Sequence, residues 1–193
     1  MTDLGEAFKV DSRMEEKHKK LEEEKKKFAY FLDEDQTEIK KLTMEDIEDI
    51  VKVMRKCSFD VTDKEVSTII VYDTSFGSYV NRMLIGVGLS WPAHLDLENK
   101  IITGRTANAL YLEDPAVLLA YEGRGLRRVL VEEREKFAKT NGLKYVIAYL
   151  YEDIKGSVED HIKEAGNSLE KLYLSEGYKF LRTPKGILAM KEV

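Results

Sequence analysis

Apolar and polar positions divide the chain in two. Up to about residue 37 charge dominates, with "EEKHKKLEEEKKK" at the centre of the segment. Within it Met14, His18, Leu21, Lys25, Phe28 and Leu32 recur at alternating steps of four and three, and Ser12 with Glu15 has the spacing of a capping box. Residues 1–37 are therefore expected to form a charged helical extension starting at Ser12. Its stripe would be covered by the rest of the chain or by a second copy in a homodimer; a solvated helix or frayed tail is the other reading. From residue 38 to 193, short apolar runs alternate with amphipathic stretches, as in an α/β or α+β domain.

Several elements are expected in this second part. A strand spans 38–42. Thr43 and Asp46 then cap a helix with Ile47, Ile50, Val51 and Met54 on one face. Thr62 and Glu65 form another capping box ahead of Val66, Ile69 and Ile70. "RMLIGVGLSW" (82–91) reads as a strand, followed by a loop holding His94 and a turn at "ENK". "TANALYLED" and "AVLLAY" read as two strands joined tightly at Asp114-Pro115. Leu126, Val129, Leu130 and Phe137 mark a helix that stops at Asn141-Gly142. "LKYVIAYLY" is nearly all apolar, as expected of a strand covered on both faces. A polar loop is expected up to Gly166, then a last helix ending at Gly177 and a hairpin across "TPKG".

Composition narrows the function. A net charge of -5 and a pI of about 5.4 disfavour nucleic acid as a partner. No apolar run approaches a membrane span. Cys57 is the single cysteine, which excludes an internal disulfide and fits a cytoplasmic setting, and the charged N-terminus lacks a signal-peptide pattern. No metal ligand is expected.

The chemistry concentrates in "AVLLAY-EGRGLRRVLVEEREKFAKTNG-LKYVIAYLY": strand, glycine turn, helix, strand. Free N–H groups and the dipole at a helix start attract anions. Gly123 and Gly125 let the backbone turn tightly and approach a ligand. An ordinary strand-to-helix turn would use glycine for geometry alone. A P-loop would need Lys-Ser or Lys-Thr after the second glycine, and a dinucleotide fingerprint would need a third glycine where Arg128 stands. Arg127 and Arg128 occupy the first helical turn, the unfavourable end for cations, so a negative group should offset them: Glu122 for one, a phosphate for the other.

The order of elements over about 38–193 resembles the GCN5-related N-acetyltransferase (GNAT) family. Its pyrophosphate loop, Gln/Arg-x-x-Gly-x-Gly/Ala, is matched by Glu122, Gly123, Arg124, Gly125, Leu126 and Arg127. Its Leu-Tyr-x-x-x-Gly-Phe run is matched by Leu172-Tyr173-Leu174-Ser175-Glu176-Gly177-Tyr178. Glu122 departs from Gln or Arg, Arg127 from a small residue, and Asn167 sits one residue late with Gly166 in register. The resemblance implies a mixed, mostly antiparallel central sheet flanked by helices. It also implies acetyl transfer from acetyl-CoA to a primary amine on a small molecule or peptide, by direct attack in a ternary complex. Pantetheine would run along Val117, Leu118 and Leu119. The segment Gly123, Arg124, Gly125, Leu126, Arg127 and Arg128 would hold the phosphates, and Tyr173 would protonate the departing thiolate. A non-catalytic CoA-binding or protein-interaction module is the alternative.

No general base is legible. Glu113 and Asp114 fall at the strand-to-strand turn, Glu122 fits better as a partner of the arginines, and His94 fits better as a surface residue. Cys57 reads as packing. Phe59, Asp60, Tyr72, Phe76 and Tyr79 fall in the region that the resemblance gives to the acceptor.

Overall fold

The computed structural model describes residues 37–150 and 153–193. The helix expected from Ser12, with its apolar stripe, lies outside the described residues.

Strand β1 (Thr37–Lys41) leads through a 3-10 turn (Met44–Asp46) into α1 (Ile47–Lys56). The Asp46 carboxylate accepts from the Thr43 N–H at 2.8 Å, which fixes the entry to the helix. Ile50, Val51, Val53 and Met54 are buried on one face. Helix α2 (Asp63–Ile70) opens on the Thr62/Glu65 box: Glu65 N–H donates to Thr62 Oγ1 at 3.2 Å, and Thr62 N–H to Glu65 Oε2 at 2.8 Å. Strand β2 (Phe76–Val80) pairs with β3 (Met83–Gly88), and Ile50 and Val66 of the two helices share one core cluster with Leu84 and Val87 of β3. Burying each such side chain contributes about 1.5–3 kcal/mol. Phe76 and Tyr79, two of the residues expected in the acceptor region, stand in the paired strand β2. Phe76 packs edge-on against Phe137, and Tyr79 Oη donates to Asp46 Oδ1 at 3.1 Å.

After Leu89 the chain continues as β4 (Ser90–Asp96), then β5 (Ile101–Thr103), β6 (Ala109–Leu112) and β7 (Ala116–Val117). His94 is thus in a strand, not a loop, and its Nδ1 lies 2.7 Å from the Thr106 carbonyl. The two segments expected as separate strands joined by a turn are one strand with a break. Ser90 pairs with Leu112 and Val87 with Ala116, so β6 and β7 run the same way along β4 and β3. Glu113 and Asp114 sit in that break, opposite Leu89. Beyond Val117 the expected strand gives way to a 3-10 turn (Leu119–Tyr121).

Helix α3 (Leu126–Thr140) ends at Gly142, whose φ of 71° suits glycine, and β8 (Tyr145–Tyr149) follows. Along β8 and β6, Val146, Ala148, Leu110 and Leu112 face one cluster with Tyr173 and Val131, while Ile147, Ala109 and Tyr111 face another with Leu188. Both faces are covered, as the apolar run implied. The expected polar loop contains a helix, α4 (Val158–Ala165), whose Ser157 cap accepts from Asp160 N–H. Helix α5 (Ser168–Ser175) is capped by Asn167 and ends before Gly177, and β9 (Lys179–Thr183) with β10 (Gly186–Glu192) forms the final hairpin.

The strand orders are β1-β2-β3-β7 and β5-β4-β6-β8-β10-β9. The pairs β2–β3, β3–β7, β4–β5, β4–β6, β8–β10 and β9–β10 are antiparallel, and β6 with β8 is parallel. This is the expected mixed, mostly antiparallel sheet with helices on it, and it changes partners at the two strand breaks. No helix among the described residues is long and apolar enough to cross a membrane.

Candidate functional site

The site follows from that change of partners. Strand β6 pairs with β8 as far as Tyr111 opposite Ile147, whereas its continuation β7 pairs only with β3. Two strands that begin as neighbours therefore part, and β7 keeps an unpaired edge. Leu118 N–H donates to Ile85 O at 2.9 Å, so alternation turns the Val117 N–H and carbonyl to the open side. Val117 is buried, Leu118 half-buried, and Leu119 is 89% exposed.

The glycine turn lies at the end of this edge. Gly123 and Gly125 have φ of 78° and 75°, a region that L side chains reach only with strain. A Cβ at either would meet nothing within 4 Å, so the dihedral, rather than crowding, asks for glycine. Gly125 caps α3 without a side-chain cap, leaving the first amides of the helix to other acceptors. Leu126 is buried beneath the turn, and the exposed Arg124 lies over the Tyr121 ring at 5.2 Å.

Both first-turn arginines are paired with carboxylates. Arg127 Nη2 meets Glu122 Oε1 at 2.6 Å, and Nη1 donates to the Pro115 carbonyl at 3.0 Å. Arg128 Nη1 meets Glu176 Oε1 at 2.7 Å, tying the start of α3 to the end of α5. The expected balance of charge at the turn is thus met on the protein itself. The partner of Arg128, Glu176, lies far away in sequence. Cys57 caps α1 and donates its thiol to the Val117 carbonyl at 3.2 Å; burial raises the thiol pKa. Pro115 and Val117, two outward carbonyls of the open edge, are thereby met by Arg127 and Cys57.

Tyr173 stands on α5 with no exposure, its ring 4.7 Å from that of Tyr178. Its hydroxyl is buried and has no hydrogen-bond partner among the described residues. Burial, first of all, pushes its pKa well above the usual phenol range, while the nearby Arg134 charge pulls the other way. Burial likewise raises the carboxyls of Glu113 and Asp114 at the strand break, although Asp114 is exposed on its outer side. Asn167, out of register by sequence, is the working cap of α5 and accepts from Leu169 and Glu170 N–H at 2.9 Å each. No group of His, Cys, Asp and Glu among the described residues could hold a metal ion.

Sequence reasoning missed Arg134. It lies on the core face of α3 with Leu126, Leu130 and Ala138 and is fully buried. Only the fold brings Gly88 beside it, where a Cβ would lie 3.0 Å from the arginine Nε.

No family model matches the sequence, and no curated protein matches it. Solved structures do. The chain is similar to the loading GNATL domain of CurA from Lyngbya majuscula, with a TM-score of 0.61 at 18% identity, covering 81% of this chain and 97% of that one. It is similar to the PaiA N-acetyltransferase from Thermoplasma acidophilum, solved in complex with coenzyme A, at a TM-score of 0.59 and 18% identity over 81% of this chain and 99% of the other. The GNAT domain of S. lividans PAT gives 0.60 at 14% identity, over 81% and 90% of the two chains. With β6 and β7 parting from β8 beside a glycine turn, these matches show that the chain carries the fold of the GCN5-related N-acetyltransferases.

Proposed function

We propose that the protein is an acyl-CoA-dependent N-acyltransferase that moves an acetyl group from acetyl-CoA to a primary amine. The observation that carries this reading is the open edge of β7, with the Val117 N–H turned outward, running into the uncapped start of α3. An extended pantetheine arm can pair with such an edge, and the amides of Gly123 to Arg128 suit a diphosphate. The neighbour from T. acidophilum was solved with coenzyme A, which supports the choice of donor. In this reading Val117, Leu118 and Leu119 line the pantetheine, and the segment Gly123, Arg124, Gly125, Leu126, Arg127 and Arg128 holds the phosphates.

Acetyl-CoA supplies an activated acyl group, and the chain's residues orient it. An N–H on the β7 edge polarises the thioester carbonyl. Tyr173 gives a proton to the sulfur as the C–S bond breaks. Its hydroxyl has no partner to surrender, but it is closed to solvent, so the acyl chain must displace its cover to meet it. The acceptor is an amine-bearing small molecule or peptide, and the domain over 38–193 carries the whole of the site. A cytoplasmic, soluble protein with neither nucleic acid nor membrane as partner fits the composition. The charged extension is the segment through which a homodimer would form.

A second reading has support in one observation. Arg127 and Cys57 cap two outward carbonyls of the β7 edge, as they would in a CoA-binding or protein-interaction module without turnover. Thiol release from acetyl-CoA, assayed across polyamines, amino acids, aminoglycosides and peptide N-termini, separates the two. Turnover with any amine favours the enzyme, and CoA binding without turnover favours the module.

A further inference from the structure

Where the sheet changes partners, one strand carries an extra residue. Ser90 pairs with Leu112 and Val87 with Ala116, so two residues, Gly88 and Leu89, stand opposite three, Glu113, Asp114 and Pro115. Such a bulge bends its strand and re-aims the residues beyond it. It also takes backbone groups out of the ladder. Glu113 N–H keeps a partner in Leu89 O at 3.0 Å, whereas Pro115 has no N–H to offer. The carbonyls of Glu113 and Pro115 need donors from elsewhere, and helix α3 supplies both.

Arg134 is fully buried on that helix. Its Nη1 donates to Glu113 O at 2.9 Å and to Leu89 O at 2.7 Å, bridging the two strands at the bulge. Its Nε donates to Leu130 O at 2.8 Å, which ties the guanidinium to the helix itself. Arg127 stands two turns earlier on the same face, and its Nη1 donates to Pro115 O at 3.0 Å. Gly88 leaves room for the buried arginine, since a Cβ there would lie 3.0 Å from Nε and 3.1 Å from Cζ.

Stability alone does not call for this arrangement. A buried cation is costly, and apolar replacements of similar volume are often neutral or stabilising. Leu89 O would keep the Glu113 N–H without it. What Arg134 alone supplies, among the described residues, is a donor to the Glu113 carbonyl, the first of the bulge. Val117, with its outward N–H, stands two residues beyond the bulge, and the glycine turn opens the helix that grips it.

We propose that Arg134 is a positioning residue for acetyl-CoA: by holding the bulge from α3, it fixes the β7 edge at the distance from the glycine turn at which one cofactor molecule meets both. The proposal rests on the acyltransferase reading, in which pantetheine lies on that edge and the diphosphate on the turn. Arg127 makes a similar bond, but it is only half-buried and is shared with Glu122, so Arg134 is the anchored end of the grip. An edge held in place beforehand need not be ordered when the cofactor arrives.

Two probes read the edge without turnover. Cys57 is the only cysteine, and its thiol donates to Val117 O at 3.2 Å, so alkylation by iodoacetamide reports on the placing of β7. Calorimetry with acetyl-CoA, and with adenosine 3′-phosphate 5′-diphosphate, which lacks the pantetheine arm, separates the edge from the turn. In Arg134→Met, alkylation should quicken by about threefold or more and acetyl-CoA should bind about tenfold more weakly, while the nucleotide stays within about twofold of wild type. Arg134→Lys keeps the charge but cannot meet every carbonyl at once, and should fall between. Gly88→Ala crowds the guanidinium from the strand side and should move both probes in the same direction; it carries the test if Arg134→Met fails to fold. An alkylation rate or an acetyl-CoA affinity that stays at the wild-type value, or an affinity that falls equally for the nucleotide, would overturn the proposal and leave the acyltransferase reading standing. A wild type that binds no acetyl-CoA overturns both.

Discussion

Arg127 and Glu122 form a forked ion pair across the glycine turn: Nη2 to Oε1 at 2.6 Å, and Nε to Oε1 and Oε2 at 3.2 and 3.3 Å. The remaining arm of the guanidinium reaches back to the Pro115 carbonyl. In the proposed reading the pair spans the place where a diphosphate binds, so that Glu122 and a phosphate compete for one guanidinium. Glu122→Gln should release Arg127 and tighten CoA binding by about threefold to tenfold, with a steeper salt dependence. Arg127→Gly should weaken it. Calorimetry with CoA reads both, and tighter binding by Arg127→Gly would make the arginine an obstruction and favour the non-catalytic module.

Tyr173→Phe separates chemistry from packing. The hydroxyl is buried without a partner, so its removal leaves nothing unsatisfied and should leave stability unchanged or raise it by up to about 1 kcal/mol. In the same variant kcat should fall by about tenfold to ten-thousandfold, with little change in acetyl-CoA affinity. A stable variant with wild-type kcat would return Tyr173 to the core as a packing aromatic.

Cys57 reports on the β7 edge. Burial raises its thiol pKa and its proton goes to Val117 O, so alkylation by iodoacetamide should be slow at neutral pH and quicken as pH rises. CoA laid along that edge should slow it further. Equal rates with and without saturating CoA would place the cofactor elsewhere.

Glu113 and Asp114 give a pH signature. Burial raises both carboxyls, so across the window between the unfolded and folded values the folded protein holds more protons than the unfolded chain. Stability from this pair is therefore lost as pH rises through that window and regained as it falls. Glu113→Gln with Asp114→Asn should melt progressively higher than wild type as pH rises from the acidic side toward neutrality. A difference that stays constant with pH would show that these carboxyls are not perturbed.

Much of this was legible because it is local. The Thr62/Glu65 box, the two positive-φ glycines and the doubly covered β8 each follow from a few adjacent residues. Strand β2 was not: "FGSYV" has no strong strand pattern. Gly77 is there because a Cβ would strike Leu84 and Leu42 at 2.6 and 2.7 Å, a tertiary reason. Helix α4 was hidden by charge, although Ser157 and Asp160 had the spacing of a cap. The break at Glu113 read as a turn because Asp-Pro often is one, and only pairing with β3 and β4 shows that the strand continues. Arg134 gave no signal because an arginine on a helix normally faces solvent, and Glu176 could not be matched to Arg128 without the fold.

The most direct measurement is amine-dependent release of CoA thiol from acetyl-CoA by the full chain, with Tyr173→Phe run beside it. Release that saturates with one class of amine, forms the N-acetylated product in equal amount and drops in Tyr173→Phe is the expected result. CoA that binds the protein while no amine is acetylated would contradict acyl transfer and leave a GNAT-fold binding module in its place.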